Sequence, residues 1–290
     1  MAFGWGSVNT VRSYLMCPPA YFDVTYAINA WMDPSIVVDR DLAMRQWSTL
    51  RDTYIQLGHH VELLEPVAEL PDMVFAANGA FSVAGSVVGA RFRYPQRVAE
   101  AAVHRTWYAD HGWPSPVVPS HINEGEGDLA YVAARGLILA GYGFRTDPAA
   151  HPEISEALAC PVVSLRLVDE RFYHLNLALF VLDDDNVAYF PNAFSAASQR
   201  TLRRLFPDAL IVTYADADAF GPNAVSDGHH VVMPVGATHL EKALADRGFE
   251  VICIDVSELR KGGGSVKCCT AELRGVDPVD DEIPGGICRG

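Results

Sequence analysis

Helical and β-rich patterns alternate five times along the chain. Amphipathic stretches of helical period occupy residues 38–57, 95–111, 151–159, 193–206 and 238–247. A Gly or Pro follows most of these stretches, which is a signal for the end of a helix. Each is followed by a run rich in β-branched residues, typical of a buried strand: HVELLEP, PSPVVP, PVVSLRL, ALIVTYA and FEVICIDV. The pattern predicts five helices, each leading into a strand.

Further strand candidates lie between these units, and several read as hairpins. They are AFSVAGSVVGARF, DLAYVAARGLILAGYG, LNLALFVLDDDNVAYF and HHVVMPVG. Turn residues such as Ala84-Gly85 fall where a hairpin would reverse. The unit is therefore ββαβ, repeated five times at a spacing of roughly 40 to 55 residues, which indicates a repeat architecture closed into a ring. We expect a single α/β domain over residues 1–274. The Gly/Pro-rich, acidic residues 275–290 have no periodicity and are predicted to be a flexible tail.

Composition and charge exclude several classes of protein. The 290 residues carry a net charge of -14, which argues against binding to nucleic acid or to anionic membrane surfaces. No apolar run approaches the length of a membrane span, and the N-terminus does not resemble a signal peptide. The six cysteines form no C-x-x-C motif, which favours reduced thiols over disulfides or a zinc site. These features predict a cytoplasmic protein.

The stretch from residue 260 to residue 270 carries the clearest chemical signal. Three glycines, at 262 to 264, precede the adjacent Cys268 and Cys269. Glycine lets the backbone take positive φ and approach a ligand closely. The flanking Lys261 and Lys267 would favour a thiolate, which is the nucleophilic form of cysteine. The stretch predicts a reactive cysteine, although a turn leading to two buried cysteines is an equal alternative from these residues alone.

A nucleophilic cysteine needs an acid or base within hydrogen-bond reach, and the histidines supply candidates. Five lie at helix ends or on helix faces and are expected to be exposed: His59, His60, His104, His111 and His151. His174 differs because it begins a strand between apolar neighbours in FYHLN. A structural role is the more common one for such a histidine, so the assignment depends on its partners.

Carboxylates and arginines form the remaining candidates. Glu124, Glu126 and Asp128 alternate with two glycines, which suits a tight turn that directs carboxylates at one ligand. Calcium is disfavoured because the EF-hand pattern is absent, and a solvated acidic turn is the plain alternative. Arg97 and Arg145 follow the motifs RFRYPQ and YGF, and an arginine fork can hold a carboxylate bidentately. Surface charge is the alternative for both.

Seven segments, in this order, resemble the guanidine-modifying enzymes of the pentein superfamily: arginine deiminases, dimethylarginine dimethylaminohydrolases and arginine dihydrolases. They are MCPPAYFDVTYAINAWMD, PDMVFAANGAF, RFRYPQR, EGEGD, YGFRT, FYHLN and GGGSVKCC, and they cover nearly the whole predicted domain. The resemblance implies a five-bladed α/β propeller, which agrees with the fivefold pattern. It also implies a hydrolase that acts on a small guanidine substrate without metal or organic cofactor, and small propellers of this kind often form homo-oligomers.

The resemblance also implies roles for individual residues. Cys268 would be the nucleophile and His174 the general acid and base, while Glu124 (or Glu126) and Asp128 would bind the guanidinium. The other expected substrate contacts are Phe75 and Asn78 in the guanidinium pocket, Arg97 and Arg145 at the carboxylate, and Asn29 from an N-terminal segment. Residues 21–31 are the candidate lid.

The residue type at position 78 distinguishes these enzymes from one another. Arginine deiminases carry an Asp at this position, and dimethylarginine dimethylaminohydrolases carry an acidic pair where this chain has Ala77 and Asn78. The closest resemblance is to arginine dihydrolases, which release two ammonia and carbon dioxide to give ornithine. Asn176 is a second departure, since deiminases commonly have an Asp there. The alternatives are a dimethylarginine dimethylaminohydrolase, a deiminase that stops at citrulline, and a catalytically inactive propeller that serves as a binding module.

Overall fold

A computed structural model describes residues 11–275 and contains fourteen strands and seven α-helices in that range. The strands are β1 (Ser13–Met16), β2 (His60–Leu63), β3 (Ala80–Val83), β4 (Ser86–Gly89), β5 (Leu129–Val132), β6 (Leu137–Tyr142), β7 (Val162–Arg166), β8 (Leu179–Val181), β9 (Val187–Tyr189), β10 (Leu210–Ile211), β11 (Val225–Ser226), β12 (His230–Pro234), β13 (Glu250–Ile254) and β14 (Ala271–Glu272). The helices are α1 (Arg40–Gln56), α2 (Glu100–Asp110), α3 (Ala150–Leu158), α4 (Ala196–Leu205), α5 (Tyr214–Asp218), α6 (Thr238–Ala245) and α7 (Ser257–Arg260). All five predicted helices are present.

The strands form five separate sheets, one for each predicted repeat. Their orders are β14-β1-β2, β3-β4, β5-β6-β7, β8-β9-β10 and β11-β12-β13. In the four three-stranded sheets an antiparallel pair is extended by a parallel strand that follows a helix. This is the ββαβ unit that the sequence predicts.

The second sheet lacks a full third strand. The predicted strand PSPVVP makes only an isolated bridge, in which Val117 pairs with Val88. Prolines at 114, 116 and 119 remove backbone donors, and a residue without an N–H cannot complete a strand ladder. The prediction of a full strand here is therefore wrong, because only Val117 is paired.

The first sheet joins the two ends of the described chain. β1 pairs in parallel with β2 and antiparallel with β14, so that Tyr14 lies opposite Glu272 and Leu15 opposite Ala271. Sequence patterns did not predict β1, β11 or β14. The predicted tail lies outside the described residues except for Gly275.

Helix α1 shows how the sequence builds one of these units. Asp39 caps its start by accepting a hydrogen bond from the Leu42 N–H over 2.9 Å. Its buried face includes Trp47, Leu50 and Tyr54, which recur at helical spacing and pack in the main core. Burial of this face stabilises the helix, and truncation of Leu50 to Ala would cost about 2 to 5 kcal/mol.

Three of the five histidines expected to be exposed are buried. His59, His104 and His151 are at most 6% exposed. A helix face that packs on a sheet buries whatever residue it carries, so position on a helix is a poor guide to exposure here. All five cysteines in the described part of the chain are free thiols. None of the helices between residues 11 and 275 is both long and apolar enough to cross a membrane.

Candidate active site

Cys268 lies at the end of the glycine-rich loop, where two asparagine side chains contact its sulfur. Asn223 Nδ2 donates to Cys268 Sγ over 3.2 Å, and the Cys268 N–H donates to Asn223 Oδ1 over 3.1 Å. Cys268 Sγ also lies 3.6 Å from Asn176 Oδ1, to which the thiol donates. The Asn223 amide therefore donates a hydrogen bond to the sulfur, and the Asn176 amide accepts one from it.

The environment of this thiol is less cationic than the sequence suggested. Lys267 and Lys261 form ion pairs with Glu126 and Glu258. Burial raises the pKa of Cys268, and the hydrogen bonds and cations around it only partly oppose that effect. The expectation that the flanking lysines give a low thiol pKa is wrong, because burial outweighs the lowering effect of Lys267, whose charge is paired with Glu126.

His174 pairs with Glu124, which also binds Arg145. Both His174 Nε2 and Arg145 Nη1 contact Glu124 Oε2, at 2.7 and 2.8 Å. Burial alone would raise the pKa of Glu124, but Arg145 and then His174 outweigh it and hold the pKa well below its usual range. His174 Nδ1 has no hydrogen-bond partner among the described side chains and backbone. The pair therefore contains an ionised carboxylate and an imidazole with one free nitrogen.

Asp128 comes from the same turn as Glu124. Its two oxygens accept hydrogen bonds from the backbone N–H groups of Leu175 and Thr146, at 3.0 and 3.1 Å. Burial raises the pKa of Asp128. Gly127 keeps the turn compact, because a Cβ there would lie 2.4 Å from Asn78 Nδ2. This glycine lets Asn78, His174 and the turn pack together.

The turn directs Glu126 to a different place. Glu126 is paired with Lys267 and Arg274, and it accepts the Glu272 N–H over 3.0 Å. Of the two glutamates considered for the pocket, Glu124 is the one that meets His174.

Asn78 has a defined orientation because Arg97 holds its oxygen. Arg97 Nη1 donates to Asn78 Oδ1 over 2.9 Å, and the rest of the guanidinium fork binds both oxygens of Glu100 at 2.9 and 2.7 Å. The Asn78 NH₂ group points towards the Glu124 carbonyl, 3.4 Å away. The structure thus differs from the expected clamp, since Arg97 is directed at protein groups.

The N-terminal segment reaches the same cluster. Asn29 Nδ2 lies 3.4 Å from Tyr173 Oη and 3.2 Å from the Gly262 carbonyl, to which it donates. Tyr173 donates to the Gly263 carbonyl over 2.8 Å. Arg145 Nη2 donates to the Ile28 carbonyl over 2.8 Å. The predicted lid segment and the cysteine loop therefore meet at Asn29.

Phe75 packs on the glycine-rich loop before Cys268, at Gly262 and Gly264, rather than on a polar group. A Cβ at Gly264 would lie 2.3 Å from the Phe75 ring, so only glycine fits there. The Ala77 N–H donates to the Cys268 carbonyl over 3.1 Å. These contacts fix the Phe75–Asn78 segment against the nucleophile candidate.

Three residues of the cluster were missed by the sequence reasoning: Glu100, Tyr173 and Asn223. Glu100 could have been found, because it follows Arg97 by three residues at the start of a helix, where such pairs meet. Tyr173 lies within a segment that carried the resemblance. Asn223 gave no signal, since it lies far from Cys268 in the chain and belongs to no recognisable motif.

The cluster is closed, and a large cavity of the described chain adjoins it without opening into it. Cys268, His174, Asn78 and Asp128 are at most 2% exposed. A cavity of about 1040 Å³ is lined by Asn176 and Lys267, among others, and does not reach Cys268 or His174. The Cys268 thiol, the His174 imidazole and the Glu124 carboxylate all lie outside the lining of this cavity. A ligand can enter only if a covering segment moves.

A buried thiol and a histidine–carboxylate pair are the components that covalent catalysis by cysteine requires. Ionised carboxylates suit a guanidinium, which is planar and offers five donors. Comparisons with known proteins agree with this chemistry. The family model described as N,N dimethylarginine dimethylhydrolase, eukaryotic, matches residues 21–275.

Individual relatives point to two related activities. The chain is 55% identical over 262 residues to the N(G),N(G)-dimethylarginine dimethylaminohydrolase of Mycobacterium tuberculosis, covering 90% of this chain and 86% of the relative. It is 36% identical to the bifunctional arginine dihydrolase/ornithine cyclodeaminase ArgZ of Synechocystis, covering 93% of this chain but only 38% of ArgZ. The crystal structure of the ArgZ N-terminal domain, an arginine dihydrolase bound to substrate, superposes with a TM-score of 0.88 at 35% identity and covers 91% of this chain and 99% of that domain.

Fold, site and similarities together define a hydrolase of guanidino C–N bonds with the α/β pentein fold. The chain belongs to the dimethylarginine dimethylaminohydrolase family, and arginine dihydrolases are also among its relatives.

Proposed function

We propose that the protein is an arginine dihydrolase, which converts arginine through citrulline to ornithine, ammonia and carbon dioxide. The observation that carries this proposal is the orientation of Asn78. Arg97 binds the amide oxygen, so the NH₂ group is left on the side of His174 and Gly127. A neutral donor there suits the ureido oxygen of citrulline, which a carboxylate would repel. The first product is then retained for a second attack.

The first half-reaction follows from the charges in the site. Glu124 and Asp128 bind the cationic guanidinium, whose positive charge next to Cys268 favours the thiolate and offsets the effect of burial. The sulfur forms a bond to the guanidinium carbon, and the C–N bond to the leaving amine breaks as His174 supplies a proton. Water, deprotonated by the same imidazole, then hydrolyses the S–C bond and regenerates the thiol.

The remaining candidates hold the rest of the substrate. Arg145 lies between the rings of Tyr94 and Tyr173, 4.7 and 4.6 Å from their centroids, and this stacking orients its fork. We assign Arg145 to the substrate carboxylate, whereas Arg97 keeps its contacts with Asn78 and Glu100 and so orients the amide. Asn29 and Phe75 would close the substrate in from the N-terminal segment and the hairpin.

A dimethylarginine dimethylaminohydrolase is the second candidate. The family model and the 55% identity to the Mycobacterium tuberculosis enzyme favour it. Against it, the groups that contact the sulfur are the amides of Asn176 and Asn223, which offer hydrogen bonds rather than an apolar surface for two methyl groups. A deiminase would share the first half-reaction and stop at citrulline.

The product profile separates these activities. The protein is incubated with arginine, with citrulline and with dimethylarginine, and amino acids and amines are resolved by chromatography. Ornithine from both arginine and citrulline is expected for the dihydrolase. Citrulline that accumulates without ornithine would identify a deiminase, and dimethylamine from dimethylarginine alone would identify the second candidate. A lack of turnover on all three, with a Cys268 that does not react with chloroacetamidine, would indicate an inactive binding module.

The fold supports a more specific arrangement. We propose that the five sheets are the blades of a propeller, with the Cys268 cluster at its centre, since that geometry brings residues from all five repeats to one point. Homo-oligomer formation and a cytoplasmic location stay predictions, which sedimentation and cell fractionation would test.

A further inference from the structure

A second cluster of metal-ligating side chains lies on the surface, at the start of the last sheet. The ligand atoms of His229, His230 and Glu250 all lie within 4.8 Å of one another. The two imidazole rings are 4.5 Å apart between centroids, and His230 Nε2 lies 3.9 Å from Glu250 Oε2. Among residues 11–275 it is the one group of three or more His, Cys, Asp or Glu side chains with this spacing.

The backbone explains why two consecutive histidines face the same ligand. Neighbouring residues in a strand point to opposite faces, but His229 precedes β12 and follows Gly228, which has φ 93°. Asp227 Oδ1 accepts the N–H groups of His229 and His230 over 2.8 and 2.7 Å and so fixes the turn. Glu250 lies directly opposite His230 in the pairing of β12 with β13. The three side chains are therefore brought together by the turn and by strand register.

A buried carboxylate orients one of these histidines. Asp227 Oδ2 lies 2.8 Å from His230 Nδ1, and the Asp227 side chain is 1% exposed. An ionised carboxylate accepts, so the proton of neutral His230 is held on Nδ1. The lone pair is then on Nε2, the nitrogen nearest Glu250. Carboxylate–histidine pairs of this kind support most histidine ligands of protein metal sites, where they fix the tautomer and raise basicity.

We propose that His229, His230 and Glu250 form a binding site for a divalent zinc-like cation, with Asp227 as its outer carboxylate. Two imidazoles and one carboxylate suit Zn²⁺, which binds nitrogen and oxygen at about 2.0 to 2.2 Å, better than Mg²⁺ or Ca²⁺, which prefer oxygen ligands. Two of the three ligands are exposed, so small side-chain rotations bring the atoms to coordination distance, and water completes the sphere. The site is separate from Cys268 and takes no part in the proposed reaction.

The cation would stabilise the junction between the last sheet and the first. It bridges the starts of β12 and β13, and Asp227 continues the connection to His59, whose Nε2 lies 3.3 Å from Asp227 Oδ2. His59 directly precedes β2. Because an ion that binds only the folded state stabilises it by mass action, the melting temperature should rise by several degrees at a Zn²⁺ concentration about 100 times the Kd.

The test uses the full chain with Cys268→Ser, so that the active-site thiol cannot take the metal. Protein treated with a chelator and dialysed is titrated with ZnCl₂ by calorimetry, and with CoCl₂ by absorption spectroscopy. We expect one saturable equivalent and a Co²⁺ spectrum without the charge-transfer band that thiolate ligands give. A strong thiolate band would overturn the proposal, because it would place the metal on another cysteine.

Substitutions locate the site. His229→Gln and Glu250→Gln should each weaken Zn²⁺ binding at least tenfold, and Asp227→Asn should weaken it about tenfold through His230. His239→Gln is the matched control, since this histidine has a side chain 72% exposed and lies on α6 outside the cluster. Circular dichroism confirms that each variant is folded. Affinity unchanged in both His229→Gln and Glu250→Gln, or no saturable binding by the parent, would refute the site.

Discussion

At residue 78, the structure fixes the orientation of a single amide, which in the proposed reaction faces the substrate. Arg97 binds the oxygen, and Glu100 in turn holds Arg97 through two hydrogen bonds. Burial raises the pKa of Glu100 to about 7 even beside this cation. The amide orientation therefore depends on residues that need not touch the substrate themselves.

Replacing this amide by a carboxylate should change the product. In Asn78→Asp, the group facing the ureido oxygen can no longer donate, and repulsion should slow citrulline hydrolysis by about 100-fold, while the carboxylate still suits the guanidinium. Arginine should then yield mainly citrulline, measured by chromatography of the amino acids. Asn192→Asp, at an exposed position, controls for the added charge. Unchanged ornithine formation in Asn78→Asp would contradict the role given to the amide.

Asn223 should influence the ionisation of the nucleophile. Because burial raises the pKa of Cys268, little thiolate is present near pH 7 in the free protein, and alkylation should accelerate as pH rises. The donor from Asn223 favours the thiolate, so Asn223→Ala should shift the alkylation profile to higher pH by about one unit. Rates with chloroacetamidine across pH measure this shift.

Two comparisons separate this effect from a loss of structure. The cationic chloroacetamidine should react faster than neutral chloroacetamide in the parent protein, since its charge favours the thiolate. Thermal unfolding shows whether Asn223→Ala is folded. A variant that is folded, slower to react and unchanged in its pH profile would mean that Asn223 only positions the Cys268 backbone.

At the scale of elements, the loop from Gly262 to Gly264 both bends the chain before Cys268 and contacts the N-terminal segment at Asn29. Gly263 has φ 83°, and a Cβ there would lie 2.5 Å from Asn29 Oδ1. Only glycine combines that conformation with that proximity. The loop therefore holds the N-terminal segment close to Cys268.

Gly263→Ala should weaken substrate binding as well as stability. Its positive φ costs about 1 kcal/mol, and the methyl group displaces Asn29, so KM should rise about tenfold. Gly248→Ala is the matched control, because Gly248 has φ 91° but nothing within 4 Å of its Cβ position. Both variants should melt at lower temperature, and only Gly263→Ala should change KM in steady-state kinetics. Equal KM values would show that Asn29 does not contribute to binding.

At the scale of the whole molecule, Glu126 connects distant parts of the fold. It is 1% exposed and links the turn before β5 to Lys267 in the cysteine loop and to Arg274 after β14. Removing a buried carboxylate leaves its cationic partners uncompensated. This residue therefore serves the assembly of the sheets rather than the pocket.

Glu126→Gln should lower the free energy of unfolding by about 3 kcal/mol, as measured by urea denaturation. Asp246→Asn, which breaks the exposed pair with Lys242, should cost less than about 1 kcal/mol. Folded Glu126→Gln protein should retain its KM for arginine. A stable variant with a raised KM would instead place Glu126 in the pocket.

The sequence predicted what is periodic or clustered locally. The long amphipathic helix α1 was located within two residues at each end, and the Glu124–Asp128 turn was recognised as a unit. The missed features depend on distant partners. Asn223 meets Cys268 only in the folded chain, and Arg97 was assigned to a substrate because its ion pair with Glu100 was not considered. The lysines beside Cys268 were misjudged for the same reason, since ion pairing is decided in three dimensions.

The pairing of β1 with β14 also affects the order of folding. β1 is synthesised long before its antiparallel partner β14, because Ser13–Met16 and Ala271–Glu272 are far apart in the sequence. Closing so long a loop costs entropy, which slows the formation of contacts between distant residues. The first sheet should therefore be completed last, and until then β1 presents an unpaired edge. During synthesis, this edge would be the part of the molecule most in need of protection from aggregation.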